Sequence, residues 1–491
     1  MGVQGNDGLT HPAESTNQPT GSPHGATPMS ACLESAFPQS TKGENKVRRP
    51  FAKRGALTAG AATVAALALA ACSSGSSSSP AASTSSSAGS SQVVHLTITD
   101  WDNGMPAVVN AWNASHPDIQ VQLIKPSGTG YTLYNKLITD NKAGTNPDIS
   151  EVEYQALPEM VANHVAISLN KYLPNLSQSY PSSVTDLVQF QGQTYGVAQN
   201  ICPMVFFYRK DVFAKLGLKP PTTWAQYAAD AAAIHKANPK EYLGNFDAAD
   251  PEWFAGLAQQ AGANWWTASG NTWTVNINDA ATQKVANYWQ GLVNSGVISP
   301  EPSWSTQWLT DMNKGNIVGW LSAQWAPNQF PTIAPSTAGD WVAAPLPAWT
   351  AGDTTVGTWG GEAEIVTASS KHPQQAAEFI NWMNDSQQGL NLLIKNVDVF
   401  PAATFAQSSP DLQTPPPFMS DQPGYNTLMA SVAKGVRDFQ IWGPDASVTF
   451  SSYSDAFASA LQNHTSFTAA LGTVQSATVS DMKNSGFQVT G

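Results

Sequence analysis

The chain has 491 residues, enough for two or three domains and a sizeable buried core. It is 42% hydrophobic but only 12% charged, about half the usual ~25%, and its formal net charge of -12 excludes a nucleic-acid binder, which needs basic surface to neutralise phosphates. Three cysteines exclude a disulfide framework.

Residues 1–47 are rich in Pro, Gly, Ser and Thr and are expected to be a disordered extension. Residues 48–72 read as an export signal. Arg48, Arg49, Lys53 and Arg54 precede an uncharged, mostly apolar run from Gly55 to Ala71, shorter than the ~20 residues a membrane span needs. The run ends in Leu69-Ala70-Ala71-Cys72, which resembles a bacterial lipobox and implies that Cys72 is lipidated and begins the mature chain. The alternative is an ordinary membrane anchor with a chance cysteine. Arg48-Arg49-Pro50-Phe51-Ala52-Lys53 also resembles a twin-arginine motif, against a plain basic signal region. Residues 73–92, almost all Ser, Gly, Ala and Thr, form a flexible linker. Lipid plus tether predicts a protein held on the outer, extracellular face of the membrane.

Beyond the linker, Val94 to Thr99 alternates as a strand, and 106–115 is helical with Ala107, Val108, Ala111 and Trp112 on one stripe. Ile119, Val121 and Leu123 alternate again, so strand, helix and strand make a βαβ unit with a parallel sheet. Tyr131, Tyr134, Leu137 and Ile138 mark the next helix, closed at Gly144, and Asp148 to Val152 is a strand. Thr223-Trp224-Ala225-Gln226 resembles a capping box, and Pro373 suits a helix start. The last 60 or so residues look mainly helical. Cys202, the only free thiol left once Cys72 is lipidated, reads as a small buried apolar residue.

At this point the chain resembles the extracellular solute-binding proteins of ABC importers, the group that includes maltose-binding and other sugar-binding proteins. Six blocks carry the likeness in order: the 96–101 strand, "HPDIQVQLI" at 116–124, "YNKLITDNKAGTNPDISEVEYQALPEM" at 134–160, "YGVAQNICPMVFFYRKDVFAKLGLKPPTTWAQY" at 195–227, "MNKGNIVGWLSAQW" at 312–325 and "GTWGGEAEIVTASSKHPQQAAEFINWM" at 357–383. Ala198, Arg209 and His164 depart from the family's proline, asparagine and glycine. The resemblance implies an α/β, two-lobed periplasmic-binding-protein-like fold of type II, each lobe a mixed sheet flanked by helices. Lobe 1 would comprise 93–199 and 362–401, and lobe 2 would comprise 200–361 and 402–491. The chain would cross a hinge near Ala198–Cys202, Trp359–Glu364 and Phe400–Ala403, with ligand in the cleft. It further implies a monomer that delivers its ligand to ABC permease subunits, without cofactor or catalysis.

Sugars present apolar C–H faces and equatorial hydroxyls, so a site needs aromatic plates beside carboxylates and amides. All 17 tryptophans lie at or after Trp101. The candidate ligand-binding residues are therefore Trp101 and Asp102 after the first strand, Glu153, Tyr154 and Gln155 after the 148–152 strand, Asn200 at the first crossing and Trp253. Trp325, then Trp359, Gly360, Gly361 and Glu362 at the second crossing, and Trp442 complete the set. At Gly360 and Gly361 the missing side chains would let backbone amides approach a ligand. Trp112, Trp224, Trp289 and Trp382 fall on apolar helix faces and read as core. Asp250 and Glu252 read as a cap for a helix beginning near Pro251, while Trp265-Trp266 reads equally as a surface pair or as packing.

No metal spacing is present. Asp100-Trp101-Asp102-Asn103-Gly104 partly mimics a calcium loop, but its twelfth position would be Ala111 rather than Glu, and that loop is rejected. Two other functions compete with sugar binding. Glu151, Glu153, Asp250 and Glu252 would suit a polyamine, with a peptide as another non-sugar solute. Asp102, Glu153, Glu252 and Glu362 could supply the two carboxylates of a glycoside hydrolase.

Overall fold

The computed structural model describes residues 92–491 apart from Thr129, Asn271, Asp438 and Gln440. The expected extension, the signal with Cys72 and the linker as far as Ser91 lie outside the described residues. No helix among the described residues is long and apolar enough to cross a membrane.

Strand β1 (Val94–Thr99) buries Leu96 and Ile98 and leaves His95 exposed, as its alternation predicts. The helix Met105–Ser115 buries Met105, Val108, Val109 and Trp112, so the stripe is rotated from the expected one: Ala107 faces solvent and Val109 replaces it. Trp112 Nε1 donates to the Ile119 carbonyl at 3.0 Å, tying this helix to β2 (Ile119–Ile124). β1 and β2 are parallel, with Val94 opposite Ile119. The helix Tyr131–Ala143 ends at Gly144, whose φ of 67° gives the left-handed cap. His164, in the family's glycine position, likewise has φ 56°.

β3 (Ile149–Glu153) lies on the other side of β1. Val197–Ala198 forms β4, and β5 (Met204–Arg209) begins a second sheet with β6 (Gly319–Ala323) and β7 (Trp341–Pro345). β8 (Glu362–Val366) then returns to the first sheet and sits between β3 and β4. The orders are β2-β1-β3-β8-β4 and β6-β5-β7. The first sheet is mixed; the second is antiparallel throughout, because the chain returns from its helical excursion after β5 in the opposite sense.

Three chain segments lie side by side between the sheets. Ala402 N donates to the Gln199 carbonyl at 3.0 Å, Ile201 N to that of Phe400 at 2.9 Å, and Trp359 N to that of Cys202 at 3.1 Å. Two of them join the sheets, β4 to β5 and β7 to β8, and the third runs beside them at Phe400–Ala402.

Thr223 caps the helix Trp224–Ala237 by accepting from Gln226 N, and Pro373 opens the helix Pro373–Asp385. Trp112, Trp224, Trp265, Trp266 and Trp289 are fully buried, which resolves Trp265-Trp266 as internal packing. Deleting rings of this size from a core costs about 3–5 kcal/mol each. Cys202 is a buried free thiol. The chain ends in the helices Ala446–Asn463 and Phe467–Asn484 and a short strand, Gln488–Thr490, paired with Thr272–Val275. Three residues carry too little periodicity to reveal that strand in the sequence.

Candidate binding cleft

A cleft of about 900 Å³ opens where the end of β1, the crossings and the segment after β6 converge. Four of the expected residues line it: Asp102, Asn200, Trp325 and Glu362. Gln324, Asn328 and Gln329 join them from the second-sheet side, and Asn396, Asp398, Asp411 and Pro415 to Pro417 close the rim. The rim comes from the end of the helix Gln387–Asn396 and the turn after it, and from the irregular stretch 410–417, which no sequence period marks.

Trp325 is partly exposed. Its Nε1 donates to the Trp359 carbonyl at 2.9 Å, and the two rings meet edge-on with centroids 4.8 Å apart. The anchored ring leaves apolar surface to the cleft. Gly360 and Gly361 have φ 83° and 119°, conformations that side chains rarely tolerate. A methyl on Gly361 would stand 2.6 Å from Tyr154 Cε2. The glycines thus make room for the Trp325 and Tyr154 rings.

Other expected residues stand behind this surface. Tyr154 is buried and donates through its hydroxyl to the Asn200 carbonyl at 2.8 Å. Glu153 accepts from the Tyr134 hydroxyl at 2.6 Å, and Gln155 is buried. Trp101 is partly exposed, and its backbone N donates to Glu151 Oε2 at 3.0 Å. Trp359 is buried, with its indole on Asp250. Two residues lie elsewhere. Trp253 is 2% exposed, bonds the Leu321 carbonyl and packs on Phe246 and Trp289, because it falls on the inner face of the helix Pro251–Ala261. Trp442 packs among Trp266, Phe439 and Phe450. Asp250 does cap that helix, accepting from Trp253 N at 3.0 Å.

The site is strongly acidic. Burial, and then the charges of Asp102 and Glu153, push the Glu362 carboxyl up to about 8. Burial followed by Asp247 brings Asp250 to about 7, and burial brings Asp102 to about 6. Glu252 is raised by burial and by Glu153, Asp250 and Glu362, which sets acids of the second-lobe helix against acids of the first sheet. Asn200 compensates Glu362: its Nδ2 donates to Glu362 Oε2, while Glu362 N donates to Asn200 Oδ1 at 2.9 Å.

Residues 97–389 match the family model of the bacterial extracellular solute-binding protein. The arabinooligosaccharide-binding protein of Bacillus subtilis is 25% identical over 293 residues, 57% of this chain. The matched stretch is 66% of that relative, just under two thirds of its length. The galacto-N-biose-/lacto-N-biose I-binding protein of the ABC transporter from Bifidobacterium longum is similar in structure, with a TM-score of 0.72 and 27% identity over 81% of this chain and 99% of that one. An ABC transporter associated binding protein from B. animalis subsp. lactis, solved with beta-1,6-galactobiose, gives a TM-score of 0.71 at 22% identity, covering 82% of this chain and all of that one, and supports the fold alone. With its two sheets, the three chain segments between them and the intervening cleft, and with the family model spanning more than half its length, the chain belongs to the bacterial extracellular solute-binding protein family.

Proposed function

We propose that this protein captures an oligosaccharide in the cleft and delivers it to an ABC permease, acting as a receptor and not as an enzyme. The observation that carries this reading is the pairing, in one cleft of about 900 Å³, of the anchored Trp325 ring with the amides and carboxylates of Asn200, Gln324, Asn328, Asp102 and Glu362. An indole face covers the C–H surface of a sugar while those groups take its hydroxyls. The similar proteins named for arabinooligosaccharide and lacto-N-biose binding support a ligand of more than one sugar unit. Cys72 would hold the receptor at the outer membrane face through its lipid.

The test is a thermal-shift and calorimetric screen with mono- and oligosaccharides, arabinooligosaccharides and β-galactosides among them. A shift with one sugar class, and recovery of that sugar uncleaved, is expected. Cleavage would overturn the receptor reading. The opposed acids Glu153, Asp250, Glu252 and Glu362 favour a polyamine as the second reading. A response to spermidine alone would keep the fold and replace the ligand.

A further inference from the structure

The ends of β1 and β3 bring three carboxylates together below the cleft. Ligand oxygens of Asp100, Asp102 and Glu151 all lie within 4.8 Å of one another. Asp100 is 1% exposed and Glu151 is fully buried, while Asp102 reaches the cleft wall. One oxygen of each buried acid is engaged: Asp100 Oδ1 accepts from Asp102 N at 2.8 Å, and Glu151 Oε2 from Trp101 N at 3.0 Å. The other oxygens, Asp100 Oδ2 and Glu151 Oε1, receive no donor.

Neighbouring acids are treated differently. Glu364 accepts from Gln199 Nε2 at 2.8 Å and from Asn384, Glu362 from Asn200, and Glu153 from Tyr134. The ion pairs among the described residues join Lys136 to Asp140, Arg209 to Asp211 and Asp340, and Lys210 to Asp421, and none reaches this trio. Buried carboxylates without compensation are strongly destabilising. Two agents could relieve them. A proton shared between Asp100 and Glu151 would answer the two orphaned oxygens alone, whereas a cation would answer them and engage Asp102 as well. Two oxygens on one calcium ion, each at about 2.3–2.6 Å, stand no more than about 5 Å apart. The trio meets that condition.

We propose that Asp100, Asp102 and Glu151 hold a hard divalent cation of the calcium class, with its free coordination positions toward the cleft. The donors are all carboxylate oxygens, which suit calcium over the nitrogen- and sulfur-seeking metals. The sequence spacing Asp-x-Asp lacks the loop's own glutamate at Ala111, and a glutamate from a different strand, Glu151, stands in its place. This site is independent of which solute the cleft takes.

The test uses the EDTA-stripped protein without sugar, titrated with calcium near neutral pH by calorimetry and thermal shift. Terbium serves as a luminescent substitute, with Trp101 as the sensitiser. One ion per chain, a melting point raised by about 2–5 °C at saturation and calcium-displaceable terbium emission are expected. Glu151→Gln should lower calcium affinity at least tenfold. If that variant does not fold, the more exposed Asp102→Asn provides the same comparison. No response up to about 10 mM calcium, above the weakest ordinary sites, overturns the proposal in favour of the shared proton. Undiminished binding in either variant overturns it as well, by placing the ion elsewhere.

Discussion

The indole Nε1 of Trp359 donates to Asp250 Oδ2 at 3.1 Å. The other oxygen of that carboxylate caps the helix Pro251–Ala261 through Trp253 N. One aspartate therefore fixes the second crossing segment to the helix that presents Glu252, and the crossing in turn fixes Trp325 through the Trp359 carbonyl.

Asp250→Ala removes the cap and leaves a buried indole N–H without its acceptor. The cap is worth about 1 kcal/mol and the orphaned donor about 1–3 kcal/mol. Urea denaturation should show a loss of about 2 kcal/mol or more, with a smaller loss for Asp250→Asn, which keeps one acceptor oxygen. Wild-type stability in the alanine variant would mean that the helix and the crossing are held by other contacts.

Trp325→Ala should weaken sugar binding by at least about 1 kcal/mol, a factor of five or more, through loss of a stacking plate and its buried area. Trp325→Phe should retain part of that affinity. Calorimetry with the sugar found in the screen decides it, and unchanged affinity in the alanine variant removes Trp325 from the site.

Glu362 provides a pH signature. Its carboxyl titrates near 4.5 in the unfolded chain and near about 8 in the folded one. Below the lower value both states hold the proton, and above the upper value neither does. Between them the folded state binds more protons, so stability falls as pH rises and the loss is complete once pH passes about 8. After burial, Asp102 and Glu153 press in this direction, and Glu362 in turn raises Glu151 and Glu252, with the Tyr154 hydroxyl and Cys202 thiol close by. Melting points measured in EDTA from about pH 5 to about pH 9 should decline, and Glu362→Gln should flatten part of that decline. An identical slope in the variant would assign the effect to other groups.

Cys72→Ser should release the protein from the membrane fraction into the medium or the soluble fraction. Fractionation and immunoblotting read the outcome directly. Persistence with the membrane would favour an uncleaved anchor formed by Gly55 to Ala71.

Much of the fold was legible because it rests on short-range patterns. The alternation of β1, the cap at Thr223, the glycine at 144 and the proline at 373 each act within a few residues, and each stands where the pattern put it. The cleft was legible only in part. Trp325 and Trp253 are both tryptophans near polar residues, yet one borders the cleft and the other fills the core. Which side of its helix Trp253 occupies depends on Phe246 and Trp289, residues outside that helix. The rim at 410–417 and the meeting of Glu151 with Asp100 depend on tertiary pairing, which leaves no local period.

The place of β8 has a consequence for biosynthesis. β3 and β4 do not touch; the strand that joins them is Glu362–Val366, about 160 residues after β4. Until that stretch leaves the ribosome, the nascent first lobe carries two bare strand edges with apolar faces, the geometry that recruits other chains. Translation that stops before Glu362 should therefore yield fragments that aggregate or are degraded. The intact chain should need a holding chaperone between the synthesis of β3 and that of Glu362–Val366, since its earliest strands cannot complete their sheet before that stretch arrives.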